Sequence, residues 1–433
     1  MAKGLILLPA LCLLVYYGAK HITEISAGSD PLTKAGALTI LIFSALVVSR
    51  YLFLLLFSML NLLANILRKE PAPSQHDLPF VSVLVPCYNE EGVIERSLES
   101  LMTIDYPSYE IIVVDDGSVD DTYAVAKAME FNDENRSLRV FKKPNAGKAS
   151  ALNYAIERSR GELFLAVDAD SRVSPDSLRL MAPYFKDGRV GAVAGSVYVV
   201  NTNNIWTNLQ ALEYIQGLNL VRNGQAFFRL VNIVPGPIGM FRTEAVESIG
   251  GYSDDTFAED CDLTLRLIEA GYGIDYEIDA VSYTEAPESL LDLLKQRYRW
   301  TRGILQSSLK HRGKLLAVVS NPKLSLLLWY MLFEAILWPA VSIAANLFIL
   351  FTSLVTGMAQ MLVYWWIIFT ILDISAGIYC VSVTKERIRL VFYTIYYRIF
   401  FINIINIAKV LATAEEFFGV EMSWGKLERK GRI

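Results

Sequence analysis

Histidine is almost missing: His21, His76 and His311 are the whole supply in 433 residues. A histidine-built metal site or a Ser/His/Asp triad therefore has almost no material, and any metal here has to be held by carboxylates. Cysteine is equally scarce. Cys12, Cys87, Cys261 and Cys380 are scattered, two in apolar stretches and two in the polar middle, and no pair has CxxC or metal-ligand spacing; they read as ordinary reduced thiols. No basic stripe dominates the polar part, and the formal net charge is −5, which argues against nucleic acid as a partner. No repeat or low-complexity tract is visible.

Grease and charge are both present, and they are segregated. Hydrophobic residues make up 53% of the chain while 20% is charged, a combination that an ordinary soluble chain does not show. Gly4 to Tyr17, Ala35 to Leu67, Leu324 to Thr352, Met361 to Val383 and roughly Leu390 to Ala412 are apolar, whereas residues 68 to 322 are mixed. Gly4 to Tyr17 reads as a signal peptide or a short first span. Ala35 to Leu67 would run about 50 Å as one helix, against a hydrocarbon core of roughly 30 Å. It ends at Arg68 and Lys69, which places that end in the cytoplasm. A linker, EPAPSQHDLP, follows. The expected division is 1–70 as N-terminal membrane helices, 71–313 as a cytosolic domain and 314–433 as C-terminal membrane and interfacial helices. Together these make a multi-pass protein of the cell membrane.

From residue 81 the pattern alternates between strand and helix. VSVLVP, EIIVVDDG and LFLAVDADS are short runs rich in β-branched residues that close on turn or acidic residues, while VIERSLESLM, DDTYAVAKAMEF and ASALNYAIERS carry apolar residues at helical spacing. Such alternation predicts an α/β domain with a mostly parallel sheet, whose ligands sit outside the carboxyl ends of the strands. The acidic pairs lie at those ends. Asp168 and Asp170 can converge on one hard cation, Mg²⁺ or Mn²⁺, that keeps positions open for a diphosphate; a solvated turn is the rival reading. Asp115 and Asp116 repeat the arrangement on a neighbouring strand, where like charges left unneutralised would be costly.

Three further motifs stand out. NAGK places Lys148 at a helix start, as an anion contact or as a surface lysine after a turn. PGPIGMFR, residues 235–242, looks like a rigid structural loop. Glu259 and Asp260 open a helix, where carboxylates cap free N–H groups or serve as a general base whose pKa a neighbouring acid raises. In KQRYRWTRG, on a helix expected from about Ser289 to His311, Gln296, Arg299 and Trp300 share a face and Arg297 and Arg302 point elsewhere. Positive charge at a membrane flank explains the cations. An aligned amide, guanidinium and indole can also bind a pyrophosphate and present a flat surface to a sugar ring.

In order, VPCYNEE, VVDDGSVDDT, NAGKASALN, DADS, AEDCD and QRYRW resemble the processive family 2 glycosyltransferases, over residues 81 to about 303. Within that group, two spans before the domain and about three after, together with PESLLDLLKQRYRW, are most similar to the bacterial poly-β-1,6-N-acetylglucosamine synthases. The resemblance implies a GT-A fold and a UDP-sugar donor, UDP-GlcNAc favoured, with Pro86, Tyr88 and Glu90 beside the uridine along with Asp115 and Asp116. It further implies the metal on Asp168 and Asp170, Lys148 nearby, Asp260 as base beside Glu259, Gln296 and Arg299 on the pyrophosphate, and Trp300 at the acceptor. It also implies a growing glycan or lipid acceptor, contact with membrane lipid and a small membrane accessory subunit. There is no FxVT motif after Trp300 and no room for a PilZ domain, so cyclic-di-GMP control and cellulose as product are not expected.

The alternatives are a non-processive transferase acting on a membrane lipid, a hyaluronan, chitin or glucan synthase with another donor, and a silent membrane scaffold. Arg50, Glu334, Asp373 and Arg398, with Trp329, Trp338, Trp365 and Trp366, lie within apolar spans, where they either line a glycan conduit or pair with one another. The charge rule leaves the side of KLERKGRI open. A segment containing Arg398 and Lys409 reads as either spanning or interfacial.

Overall fold

The computed structural model describes residues 16–17, 20, 23–24, 30–67, 78–357, 359–384 and 386–420. Most of the expected first span Gly4 to Tyr17, Arg68 and Lys69, all but the last two residues of the linker, and the C-terminal KLERKGRI lie outside the described residues.

The core is a nine-stranded sheet: β1 (Val81–Cys87), β2 (Tyr109–Asp115), β3 (Phe131–Asn132), β4 (Arg136–Lys142), β5 (Leu163–Ala166), β6 (Ser171–Val173), β7 (Val190–Val199), β8 (Gly239–Arg242) and β9 (Gly273–Thr284). Their spatial order is β3-β4-β2-β1-β5-β8-β7-β9-β6. The run β4-β2-β1-β5 is parallel, as the alternation of strand and helix predicts. Past it the sheet is mixed, because β8 pairs antiparallel with both β5 and β7. Helices cover both faces, so strand side chains are buried in both directions and the strands read as continuous apolar runs. Val83, Val85, Ile111 and Val113 enter one core; their period-two neighbours Leu84, Ile112 and Val114 enter the other.

The helices that matter below are α1 (Pro31–Leu67), α2 (Lys148–Ile156), α3 (Ile205–Glu213), α4 (Leu220–Ala226), α5 (Glu259–Glu269), α6 (Leu290–Lys310), α7 (Pro322–Leu332), α8 (Trp338–Thr356), α9 (Ala359–Thr384) and α10 (Ile402–Phe417). Start signals are local. The Asn204 side chain and Thr207 exchange hydrogen bonds in a capping box before α3, and Ser289 Oγ accepts the Asp292 N–H at 3.1 Å before α6. Three wide π turns interrupt otherwise α-helical runs, at Tyr214–Asn219, Phe333–Leu337 and Tyr397–Phe401.

Among the described residues, four helices are long and apolar enough to cross a membrane: Pro31–Leu67, Pro322–Thr356, Leu362–Thr384 and Ile388–Phe417. They mark the chain as a membrane protein. Two pairs of their charges neutralise each other. Arg50 grips Glu334 with two bonds of 2.7 and 3.1 Å, and Arg398 Nε reaches Asp373 at 2.6 Å while Tyr51 donates to the same carboxylate at 2.7 Å. Trp338 and Trp365 pack on Phe43. Helix α1 also ties down the sheet domain, through Asn61 to Asn223 at 2.8 Å and Asn223 to Ser58 Oγ at 2.7 Å.

Candidate active site

The carboxyl ends of β1, β2 and β5 lie side by side: Cys87 is in register with Asp115, and Leu84 with Ala166. Asp115 and Asp116 are buried there, and the chain supplies their counter-charges from the end of β4. Lys142 Nζ is 3.5 Å from Asp115, and Lys143 Nζ is 2.5 Å from Asp116. Asp116 also accepts the Ala146 and Gly147 N–H groups, at 3.1 and 2.7 Å, and so holds the NAGK loop in place. The close approach needs Gly117, at φ +78°, where a Cβ would stand 2.7 Å from Asn145 N. Tyr88 is exposed and Glu90 half-buried, on a loop bent by Asn89 at φ +54°. Asn89 N–H donates to Ser118 Oγ at 2.8 Å, Asn89 Oδ1 accepts the Val119 N–H at 2.9 Å, and Glu90 N–H donates to Thr122 Oγ1 at 2.7 Å.

Deeper in the sheet edge, Lys148 opens α2 and its ammonium joins two chain-distant acids, Asp168 at 2.6 Å and Glu259 at 3.0 Å. It is neither a surface lysine nor a free anion contact. Burial works to lower the Lys148 pKa, but Asp168, Glu259 and Asp260 hold it well above the ordinary value. Asp260 follows on the first turn of α5. Burial and then the Glu259 carboxylate push its pKa up to about 6, against the pull of Lys148. The helix-capping reading is met only in that Asp260 Oδ1 accepts the neighbouring Cys261 N–H at 2.8 Å, since Glu259 turns to Lys148.

Pro86, Lys148, Asp168, Glu259 and Asp260 line one narrow cleft, together with Tyr252 and the Val234–Gly236 segment. The PGPIGMFR loop thus supplies Pro235, Gly236 and Phe241 to the lining of this cleft. A Cβ at Gly236 would lie 2.7 Å from Lys148 Nζ and 3.1 Å from both Asp168 oxygens, so any larger residue would have to displace this pair. The glycine was visible in the sequence; its approach to residues 148 and 168 was not.

Helix α6 brings the third group. Gln306 Oε1 accepts the Phe257 N–H at 3.1 Å, and Gly303 sits against Ala258, so α6 packs on the two residues that precede Glu259. Gln296 is buried and Arg299 and Trp300 are partly buried. Arg302 does point away, to Glu416 at 2.6 Å. Arg297 does not: its guanidinium carbon lies 4.2 Å from the Trp300 ring centroid, its Nη1 donates to Gln296 Oε1 at 3.1 Å, and its Nη2 reaches Glu213 at 2.6 Å. Helical spacing fixes where a Cβ starts, and a long guanidinium side chain can cross to the next face. Tyr214 stands beside Trp300, ring centroids 6.3 Å apart.

Among the described residues no three His, Cys, Asp or Glu side chains gather into a cation cage. Asp168 is partly buried and Asp170 buried just after β5, and both offer hard oxygen donors without imidazole or thiolate. That set suits Mg²⁺ or Mn²⁺ only when substrate phosphates complete the coordination.

Residues 82–250 match the model of Glycosyl transferase family 2. That stretch, which runs from β1 to β8, is thus similar to a family 2 glycosyltransferase domain. Its sheet and flanking helices form a GT-A fold: the mannosyltransferase PcManGT from Pyrobaculum calidifontis, solved with GDP-Man and Mn²⁺, superposes with a TM-score of 0.60 at 21% identity, over 88% of this chain and 100% of that one. Curated relatives include the poly-beta-1,6-N-acetyl-D-glucosamine synthase of Staphylococcus aureus (strain MSSA476), 33% identical over 55% of this chain and 57% of the relative. The enzyme of the same name from Staphylococcus epidermidis is 29% identical over 63% and 66%. The chain thus matches little more than half the length of the first of these relatives.

Proposed function

We propose that this protein is a membrane-embedded, inverting glycosyltransferase that polymerises a β-linked polysaccharide from a UDP-sugar, UDP-GlcNAc favoured, and passes the product across the membrane. Residues 71–313 would be the cytosolic catalytic unit, and helices on either side would anchor it. The observation that carries this reading is the meeting of Lys148, Asp168, Glu259 and Asp260 in one cleft at the carboxyl edge of the parallel strands. The similarity to poly-N-acetylglucosamine synthases favours the donor.

In this mechanism Pro86, Tyr88, Glu90, Asp115 and Asp116 bind the nucleoside end of the donor. Asp168 and Asp170 would hold Mg²⁺ or Mn²⁺, which when bound neutralises the diphosphate of the leaving UDP. Asp260 takes the proton from the acceptor hydroxyl, and that oxygen forms its bond to the anomeric carbon as the bond to UDP breaks on the opposite side. An α-linked donor then yields a β-linkage. Gln296 and Arg299 contact the pyrophosphate, and Lys148 adds positive charge where the departing group gains negative charge. Trp300, backed by Arg297, offers its ring to the acceptor sugar.

Purified protein incubated separately with UDP-GlcNAc, UDP-Glc and UDP-GlcA, with the products sized, tests donor and processivity together. Long products from UDP-GlcNAc are expected. A single sugar transferred to lipid would replace the polymerase reading with a lipid-acceptor one, and no UDP released from any donor would end both.

A further inference from the structure

Helix α4 holds an arginine that the family 2 motifs do not use. Arg222 is 7% exposed, yet among the described residues its Nη1 has no hydrogen-bond partner. One turn earlier, at the end of the π turn, Asn219 is 1% exposed and neither atom of its amide has a partner. Neighbouring residues on the helix are well satisfied: Asn223 is tied to Asn61 and Ser58, and Gly224 lies against Leu54. Leaving one nitrogen of a buried guanidinium and a whole buried amide unmatched costs desolvation, on the order of 1–3 kcal/mol per unsatisfied group. Core packing alone gives no reason to keep them.

Their surroundings indicate what they face. The groups whose charge acts on Arg222 are the Tyr276 and Tyr214 phenols and the Asp260 carboxylate. Tyr276 is already bonded to Ser196 Oγ at 2.6 Å, and Tyr214 is the ring beside Trp300. Arg222 therefore belongs to the neighbourhood shared by the proposed base and the proposed acceptor platform, behind a π turn of the kind that recurs at functional sites. The orphan atoms include donors, on both residues, and an acceptor, Asn219 Oδ1. An anion could use only the donors, and the nearby Asp260 would repel it. A neutral sugar, whose hydroxyl and amide groups both donate and accept, satisfies all of them.

We propose that Arg222 and Asn219 form a polar seat for the acceptor sugar, orienting its hydroxyl toward Asp260. The assignment rests on the glycosyl-transfer reading above and adds to it two positioning residues outside the recognised motifs.

The test uses the full chain in nanodiscs, with Arg222→Met and Asn219→Leu, UDP-GlcNAc as donor and a β-1,6-linked N-acetylglucosamine tetramer as acceptor. Loss of one hydrogen bond to a charged group is worth roughly a tenfold to hundredfold change and of a neutral one up to about tenfold, so KM for the tetramer is expected to rise by about tenfold or more in Arg222→Met and by severalfold in Asn219→Leu. KM for UDP-GlcNAc and the slow release of UDP without acceptor should stay at wild-type values. Thermal stability should hold or improve, because a buried charge with an unmatched nitrogen has been replaced by an apolar side chain of similar length. An unchanged KM for the tetramer, or a fall in thermal midpoint together with losses in every kinetic constant, would show the two residues to be structural. If wild-type protein releases no UDP from any UDP-sugar, the glycosyl-transfer reading falls and the seat falls with it; working wild type with equally working variants overturns the seat alone.

Discussion

The Arg297 guanidinium carbon lies over the Trp300 ring, 4.2 Å from its centroid, while Glu213 holds the far end of the group at 2.6 Å. The indole of the QRYRW segment is thereby fixed from behind by a residue of the same helix and by one from α3, 84 residues earlier in the chain. Glu213→Gln leaves Arg297 buried without its counter-charge, and such a change costs about 3–5 kcal/mol. The denaturation midpoint in detergent should fall accordingly. Adding Arg297→Met to the same chain should restore much of that stability while leaving Trp300 loose and transfer to acceptor impaired.

Asp260→Asn should lower transfer by roughly 10²–10⁴-fold, the range of a lost general base, and spare UDP binding measured by calorimetry. Substantial turnover by this variant would remove Asp260 from the base role. The wild-type profile of kcat/KM should fall on the acid side of about 6, where the carboxyl becomes protonated.

The same raised pKa has a stability consequence. Because the folded protein holds this proton more tightly than the unfolded chain, whose aspartate titrates near 3.8, stability declines as pH rises between about 4 and 6 and is level above. Asp260→Asn removes that penalty. With divalent ions chelated, its thermal midpoint should exceed wild type at pH 7.5, and the difference should vanish below pH 4.

Gly236→Ala places a methyl group 2.7 Å from Lys148 Nζ and 3.1 Å from the Asp168 carboxylate. Lysine can swing aside, so the protein should fold normally. KM for the UDP-sugar should rise about tenfold as the Lys148–Asp168 pair is displaced, an effect read from initial rates of UDP release.

In the membrane helices, Glu334→Gln strands Arg50 in an apolar setting and should reduce the amount of folded protein recovered from membranes. Exchanging the two, Arg50→Glu with Glu334→Arg, should recover more than either single change, because the ion pair is re-formed with its ends reversed.

Much of the site could be read from sequence because strand ends advertise themselves. VVDDGS and AVDADS announce where β2 and β5 stop, and the apolar runs before them give the parallel register that aligns those stops. The start of α5 at Glu259 and the extent of α6 from Leu290 to Lys310 also follow from local signals. The antiparallel insertion of β8 between β5 and β7 does not, since four residues, GMFR, carry no pairing direction of their own. Nor does the approach of Gly236 to Lys148, which depends on two segments 88 positions apart meeting in space. Arg222 carries no signal in the sequence for a related reason. Its distinction is the absence of a partner at Nη1, and an absence of contact has no signature along a chain.

The π turns at Phe333–Leu337 and Tyr397–Phe401 contain Glu334 and Arg398, one member of each membrane ion pair. A π turn carries one residue more than the surrounding α-helix, and each residue advances an α-helix by about 100°. Trimming a single amino acid from either turn would keep the hydrophobicity of the segment unchanged and rotate everything beyond it by more than a quarter of a revolution. The electrostatic match between spans is thus encoded in the count of residues as much as in their identity, and length variation there should be far less tolerated than substitution among apolar side chains.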